Sequence, residues 1–289
     1  MNATERRRRC RAVLDGSDCV HPASVHDPVS GRIAADLGFE LGMFAGSTGS
    51  LAVLGAPDLI VLTLTEFAEQ ARRICRAGAP PLVVDADHGY GNALNVMRTV
   101  QELEHAGVAA MSIEDTDLPR PYAAPKPRLI PLAEGLDKIR AALAAREDAT
   151  TCIFARTGAV GINGLADGVE RARAYSATGA DALFLTGVTT RAELDAIAEA
   201  ATIPLVLGTL SPVLNDRDYL AARGVRIALQ GHQPFQAAVQ AIHATLSALR
   251  AGTAPAALTG IAPPPLMRQL MREDGYAAAT RDFLDGRKM

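Results

Sequence analysis

The chain has 289 residues, 48% of them hydrophobic, and a formal net charge of −3. Those values suit one large α/β domain and exclude a basic nucleic-acid binder, and the absence of tryptophan removes the usual platform for stacking bases. No apolar run approaches the 18 residues of a membrane-spanning helix, so no contact with a membrane is expected.

The N-terminus, Met1 to Arg9, is rich in arginine but has no apolar segment or cleavage site behind it. In a slightly acidic chain it reads as the solvated face of a first helix, over 4–14. Cys10, Cys19, Cys75 and Cys152 have no CxxC spacing, so they read as free thiols of a reducing cytoplasm, with Cys152 inside a strand. A short strand at 19–25 precedes a helix at 28–37, whose apolar face is Val29, Ile33, Ala34 and Leu37. A second strand, 41–46, closes on the small-residue loop Ser47-Thr48-Gly49-Ser50, whose N–H groups suit an anion. Helix 65–77, with Thr65 as its N-cap, leads to strand 81–85. Helix 92–106, capped by Asn92, leads to strand 109–113. Residues 116–131 then break the rhythm, with four prolines between Pro119 and Pro127. A loop of that length in a compact domain is commonly functional, though it can also be a plain connector.

The alternation resumes with helix 132–146, strand 151–155, helix 167–178, strand 182–185 and helix 190–200. Strand 204–207, helix 215–223, strand 226–229 and helix 234–250 complete it. Eight strand-then-helix units predict a (β/α)8 TIM-type barrel over residues 1–250. Residues 251–263, rich in Gly, Pro and Ala, read as a linker. Residues 264–284 read as an extra C-terminal helix with no face of the barrel left to receive it. Residues 251–289 are therefore expected to serve oligomerisation, by docking on a neighbouring subunit.

Polar residues gather at the C-terminal ends of these strands: Ser24, Ser47, Asp85, Asp87, His88, Glu114, Asp115, Arg156 and His232. In such folds that is where ligands bind. Asp85 and Asp87, one residue apart, would share a face in a continuing strand, and with Glu114 they make an oxygen-rich set suited to a hard divalent cation. Capping of the helix at 92 is the plainer reading of the two aspartates. Arg156 can grip a carboxylate with its planar fork, and His232 can donate to a carbonyl oxygen. The run Gly89-Tyr90-Gly91-Asn92-Ala93-Leu94 only partly imitates a dinucleotide loop, and the acids before it would repel a pyrophosphate. His88 is equally compatible with a structural role, and Asp115 with binding either backbone or substrate.

Several segments resemble the isocitrate lyase/phosphoenolpyruvate mutase superfamily. They are Gly46-Ser47, Pro57-Asp58, Asp85-Ala86-Asp87-His88-Gly89-Tyr90-Gly91, Ile113-Glu114-Asp115 and Ala155-Arg156-Thr157, in order over roughly residues 10–250. The run Asp85–Val100 and the pair Gly231-His232 are most similar to its oxaloacetate decarboxylase branch. The resemblance implies a carbon–carbon lyase that uses Mg²⁺, with Mn²⁺ as the alternative, acting on a small α-keto acid. It also implies a homotetramer, a dimer of dimers, with a C-terminal helix swapped between subunits. By the same resemblance Asp85 binds the metal directly, while Asp58, Asp87 and Glu114 hold its waters. Ser47 and Arg156 hold the substrate carboxylate, and His232 contacts the reacting keto acid. Carbon–carbon cleaving relatives carry a cysteine in a Lys-Lys-Cys-Gly-His loop, and residues 116–128 contain none, which favours decarboxylation of a β-keto dicarboxylate such as oxaloacetate. Other expected outcomes are a 2,3-dimethylmalate-type lyase, a phosphonopyruvate C–P bond enzyme, or a barrel that binds a keto acid without turning it over. The sequence departs from its relatives at Gly158, where a polar residue is usual, and at Leu210 and Gln230. Specificity is accordingly expected at Arg156–Gly158, Leu210 and His232.

Overall fold

A computed structural model describes residues 2–285. Its elements are α1 (Ala3–Asp15), β1 (Ala23–Ser24), α2 (Pro28–Asp36), β2 (Gly42–Phe44), α3 (Gly46–Gly49), α4 (Leu64–Arg76) and β3 (Leu82–Asp85). There follow α5 (Ala93–His105), β4 (Ala110–Glu114), α6 (Leu132–Ala145), β5 (Cys152–Thr157), α7 (Ala159–Ile162), α8 (Leu165–Ser176) and β6 (Ala182–Leu185). The chain continues through α9 (Arg191–Ala200), β7 (Leu205–Leu207), α10 (Arg217–Ala222), β8 (Val225–Ala228), α11 (Gln233–Arg250), α12 (Pro264–Met271) and α13 (Glu273–Phe283). The eight strands are parallel and neighbours in chain order, and a parallel bridge from Val20 to Ile227 joins β8 to the segment before β1. The expected TIM-type barrel is the fold of the first unit, Met1–His232.

Strand parity decides what each residue faces. Val83, Ala110, Cys152, Phe154, Ala182, Phe184, Val206 and Ile227 cluster inside the barrel, with Cys10 and Leu14 of α1 in the same cluster. Their neighbours Leu82, Val84, Met111, Ile113, Ile153, Ala155, Leu183 and Leu185 join the layer between sheet and helices. Successive residues of a strand point to opposite faces. Continuing the inward series by two residues from Val83, from Ala110 through Ser112, and from Phe154 gives Asp85, Glu114 and Arg156. These three are the uppermost inward residues of adjacent strands, and Glu114 and Arg156 are register partners. A TIM barrel fills its interior in such layers, and the top layer is the one open to ligands.

Several local expectations are corrected. Residues 47–50 are not an open loop: Gly46–Gly49 is helical and runs into a π turn at Ser50–Leu54, with the Thr48 hydroxyl donating to Ala45 O at 2.9 Å. The cap of α4 is Thr63 rather than Thr65, in a reciprocal box with Glu66. A short α7 precedes α8. Arg7 is buried instead of solvated, because it donates to Val108 O and Glu104 O and pairs with Asp148 at 2.8 Å. Asp85 and Asp87 do not share a strand face: β3 ends at Asp85, and Asp87 sits at φ 49° in the turn that follows.

The second unit, Gln233–Met289 by division of the chain, holds α11, α12 and α13 among its described residues. The expected single helix over 264–284 is two, broken at Arg272, which adopts a left-handed φ of 57°. None of the residues of α11 is buried, and Val239, Ile242, Leu246 and Leu249 are exposed along it at helical spacing. Residues 286–289 of the expected oligomerisation segment lie outside the described residues.

Candidate active site

The C-terminal ends of β3, β4 and β5 deliver Asp85, Glu114 and Arg156 to one cavity of about 670 Å³. Asp58, Leu59 and Ile60 from the segment after β2 line it, as do Asp87 and, from the loop after β4, Thr116, Leu118, Pro119, Arg120 and Pro127. Gly158, Gly161, Ile162, Thr186 and Gly187 complete the wall. Arg156 Nη1 donates to Asp85 Oδ1 and lies 3.8 Å from Glu114 Oε1. Its guanidinium stands 5.4 Å from the centre of the Phe184 ring, and its Nε is buried without a hydrogen-bond partner. Burial works against the guanidinium charge, but Asp85 and Glu114 overcome it, so its pKa is raised. Arg156 is therefore a permanent cation in the cavity wall.

The turn after β3 is shaped for the acids. Asp87 N–H donates to Asp85 Oδ1 at 3.2 Å, and Asp87 O accepts from Glu114 N–H at 2.8 Å, fixing a residue that would otherwise resist the left-handed region. Gly46 makes room for its carboxylate, since a Cβ there would lie 3.0 Å from Asp87 Oδ1. Asn92 caps α5 in a reciprocal box with Asn95, accepting from Leu94 and Asn95 N–H, so the aspartates are not helix caps. Burial, then Asp85, Glu114 and Asp58, push the Asp87 carboxyl well above the usual range. Loss of solvation and Asp85 raise Asp58, and burial raises Glu114 against the pull of Arg156, while Thr116 Oγ1 donates to Glu114 Oε2 at 2.6 Å. Carboxylates that raise one another in this way are relieved by a cation.

No three His, Cys, Asp or Glu side chains among the described residues converge tightly enough to enclose an ion by themselves. Mg²⁺ does not demand that: it keeps several waters and takes one or two carboxylates. The oxygen-only set of Asp58, Asp85, Asp87 and Glu114 has the chemistry to suit such an ion.

The remaining expected residues are not among those that line this cavity. His232 Nδ1 is 2.9 Å from Ser24 Oγ, and burial lowers its pKa although Asp85 and Asp58 oppose the shift. Ser47 follows Gly46 at the start of α3, and Leu210 packs against the outer core. Asp115, one residue past the inward Glu114, faces the helices instead. It accepts from Arg171 Nη1 and Tyr175 Oη, each at 2.9 Å, so its role is structural. His88 is buried and pushed down to about 4 by burial and then by Lys138, with its Nδ1 unpartnered. Thr186, Arg120 and Thr116 were not singled out from the sequence. Thr186 was findable: it sits at a strand end, next to Gly187, and a Cβ on Gly158 would lie 3.1 Å from its Oγ1.

The family described as phosphoenolpyruvate phosphomutase matches residues 11–250. The chain belongs to that family. This member of the phosphoenolpyruvate mutase/isocitrate lyase superfamily is 59% identical over 269 residues to a protein named oxaloacetate decarboxylase from Rhodopseudomonas palustris (strain BisA53), covering 93% of each. It is 55% identical over 285 residues to one of the same name from Bradyrhizobium sp. (strain BTAi1 / ATCC BAA-1182), covering 99% of each. Among solved structures, a phosphonopyruvate hydrolase complex with oxalate and Mg²⁺ matches with a TM-score of 0.86 and 28% identity, covering 98% of this chain and 100% of that one. An oxaloacetate acetylhydrolase bound to 3,3-difluorooxaloacetate matches with a TM-score of 0.84 and 28% identity over 99% of both chains.

Proposed function

We propose that this protein is a carbon–carbon lyase that decarboxylates oxaloacetate, or a close β-keto dicarboxylate, to pyruvate and CO₂. The observation that carries the reading is the inward layer Asp85–Glu114–Arg156, in a chain whose relatives at 55–59% identity are named oxaloacetate decarboxylase. None of the four cysteines, all buried, lines the cavity, so the cysteine acid of cleaving relatives has no counterpart here.

Asp85 would hold Mg²⁺ or Mn²⁺ directly, and Asp58, Asp87 and Glu114 would hold its waters. When bound, the ion supplies a Lewis acid beside the 2-keto oxygen and offsets the crowded carboxylates. Arg156, which lines the cavity, would bind the retained carboxylate through its guanidinium, which orients the bond to be broken. Ser47, at the start of α3, adds a donor to the same carboxylate. The C3–C4 bond then breaks, C4 leaves as CO₂, and its electron pair becomes the enolate spread over C3, C2 and the keto oxygen. His232 is neutral near pH 7 because burial lowers its pKa. In the tautomer whose Nδ1 accepts from the Ser24 hydroxyl, the ring proton sits on Nε2, which gives a hydrogen bond to the developing oxyanion. Protonation of C3 by water gives pyruvate.

We further infer a cytoplasmic homotetramer, a dimer of dimers, in which residues 251–289 act as the oligomerisation segment and exchange between subunits. The exposed apolar stripe on α11 supports burial against a second copy. Turnover of oxaloacetate by purified variants tests the chemistry. Asp85→Ala should lose all metal-dependent pyruvate formation, and His232→Ala should lower kcat by about 10²–10³. Unimpaired turnover by the Asp85 variant would refute the metal assignment.

A further inference from the structure

The cavity carries four carboxylates, Asp58, Asp85, Asp87 and Glu114, and its lining holds two cations, Arg156 and Arg120. Arg156 stands deep among the acids, paired with Asp85 and 3.8 Å from Glu114. Arg120 is exposed and, among the described residues, makes no ion pair or hydrogen bond. It stands between Pro119 and Pro121, whose rings fix the backbone on both sides. The base of its loop is tied down: Thr116 bridges to Leu129, Asp117 N–H donates to Arg128 O at 2.9 Å, and Arg128 pairs with Asp117 at 2.6 Å. A guanidinium held on so constrained an arm, lining a pocket of acids and paired with none of them, is placed for an incoming anion.

We propose that Arg120 binds the far carboxylate of a dicarboxylate substrate, which makes the proline-rich loop the element that separates dicarboxylates from monocarboxylates. This rests on the decarboxylase reading above. A dianion entering a pocket of four acids meets repulsion, and a cation at the loop lowers it. The carboxylate so held is the one that departs as neutral CO₂, and its charge drains into C3 as the bond breaks. Arg120 therefore grips the ground state more strongly than the transition state. Its contribution lies in KM, and its loss leaves kcat unchanged or slightly raised. His232 has the opposite signature, because the oxyanion it meets gains charge.

The test compares wild type, Arg120→Ala and Arg120→Lys in the presence of Mg²⁺. Steady-state kinetics with oxaloacetate should show KM raised about 10–100-fold in Arg120→Ala at unchanged kcat, with part of the loss recovered in Arg120→Lys. Calorimetry gives a readout without turnover. 3,3-Difluorooxaloacetate, which has both ends of the substrate, should bind Arg120→Ala about 10–100-fold more weakly, whereas oxalate, which has only the retained end, should bind within about twofold of wild type. Equal weakening of both ligands, no weakening of either, or a fall in kcat at constant KM would overturn the assignment. Wild-type protein that binds difluorooxaloacetate without turning over oxaloacetate would sink the decarboxylase reading, yet the ratio of the two affinities would still decide the role of Arg120.

Discussion

Asp115 and Glu114 are adjacent and chemically alike, yet one is structural and the other faces the cavity. Parity separates them: Glu114 continues the inward series of β4, and Asp115 turns to Arg171 and Tyr175 on α8. Asp115→Ala would leave the buried Arg171 guanidinium without its main counter-charge. It should cost about 3–5 kcal/mol of stability in a urea unfolding curve. A loss below about 1 kcal/mol would show that the pair is dispensable. The acids at the strand ends were legible in the sequence because a carboxylate after an apolar run has few structural uses. The partner of Asp115 was not, since Arg171 lies 56 residues away on a helix. Nor was the turn at Asp87, because positive φ at a non-glycine residue leaves no mark in composition.

At the scale of elements, the eight strands and their helices follow the hydrophobic periodicity, and their order was readable throughout. What escaped was set by local geometry. Thr63 and Thr65 are equally good caps by type. Thr63 wins because Glu66 stands three residues on and returns the bond, with Thr63 N–H donating to Glu66 Oε2 at 3.0 Å. Thr63→Ala should therefore cost about 1 kcal/mol, read as a lower Tm, whereas Thr65→Ala should leave the cap intact. Residues 47–50 have the small side chains of a loop, but Ala45 O accepts both the Thr48 hydroxyl and Gly49 N–H and winds them into a helix. The break at Arg272 has no glycine or proline to announce it.

For the whole molecule, the arginine-rich start is a structural anchor. Arg7 joins α1 to Asp148 in the turn before β5, and Glu104 accepts from Thr151 Oγ1 at 2.7 Å beside it. Burial alone would raise Asp148, but hydrogen bonds from Thr150, Arg7 and Thr4 outweigh it and hold the carboxyl well below the usual range. A group whose folded pKa is depressed stabilises the fold above its unfolded value of about 4 and loses that contribution as pH falls. Asp148→Asn should accordingly lower Tm near pH 7 and flatten its decline on the acid side, measured by calorimetry between pH 7 and pH 3. An unchanged acid slope would count against the anchor. Packing and parity thus decide where the acids stand, and the chemistry follows from their sharing one cavity with Arg156. That account is tested most directly by NMR of oxaloacetate, 2,3-dimethylmalate and phosphonopyruvate incubated with the protein, with and without Mg²⁺, using Asp85→Ala as the control for metal-catalysed background. It predicts pyruvate from oxaloacetate alone, only with Mg²⁺, and faster than the control. Product from either of the other two acids, or an oxaloacetate rate no higher than that of Asp85→Ala, would contradict it.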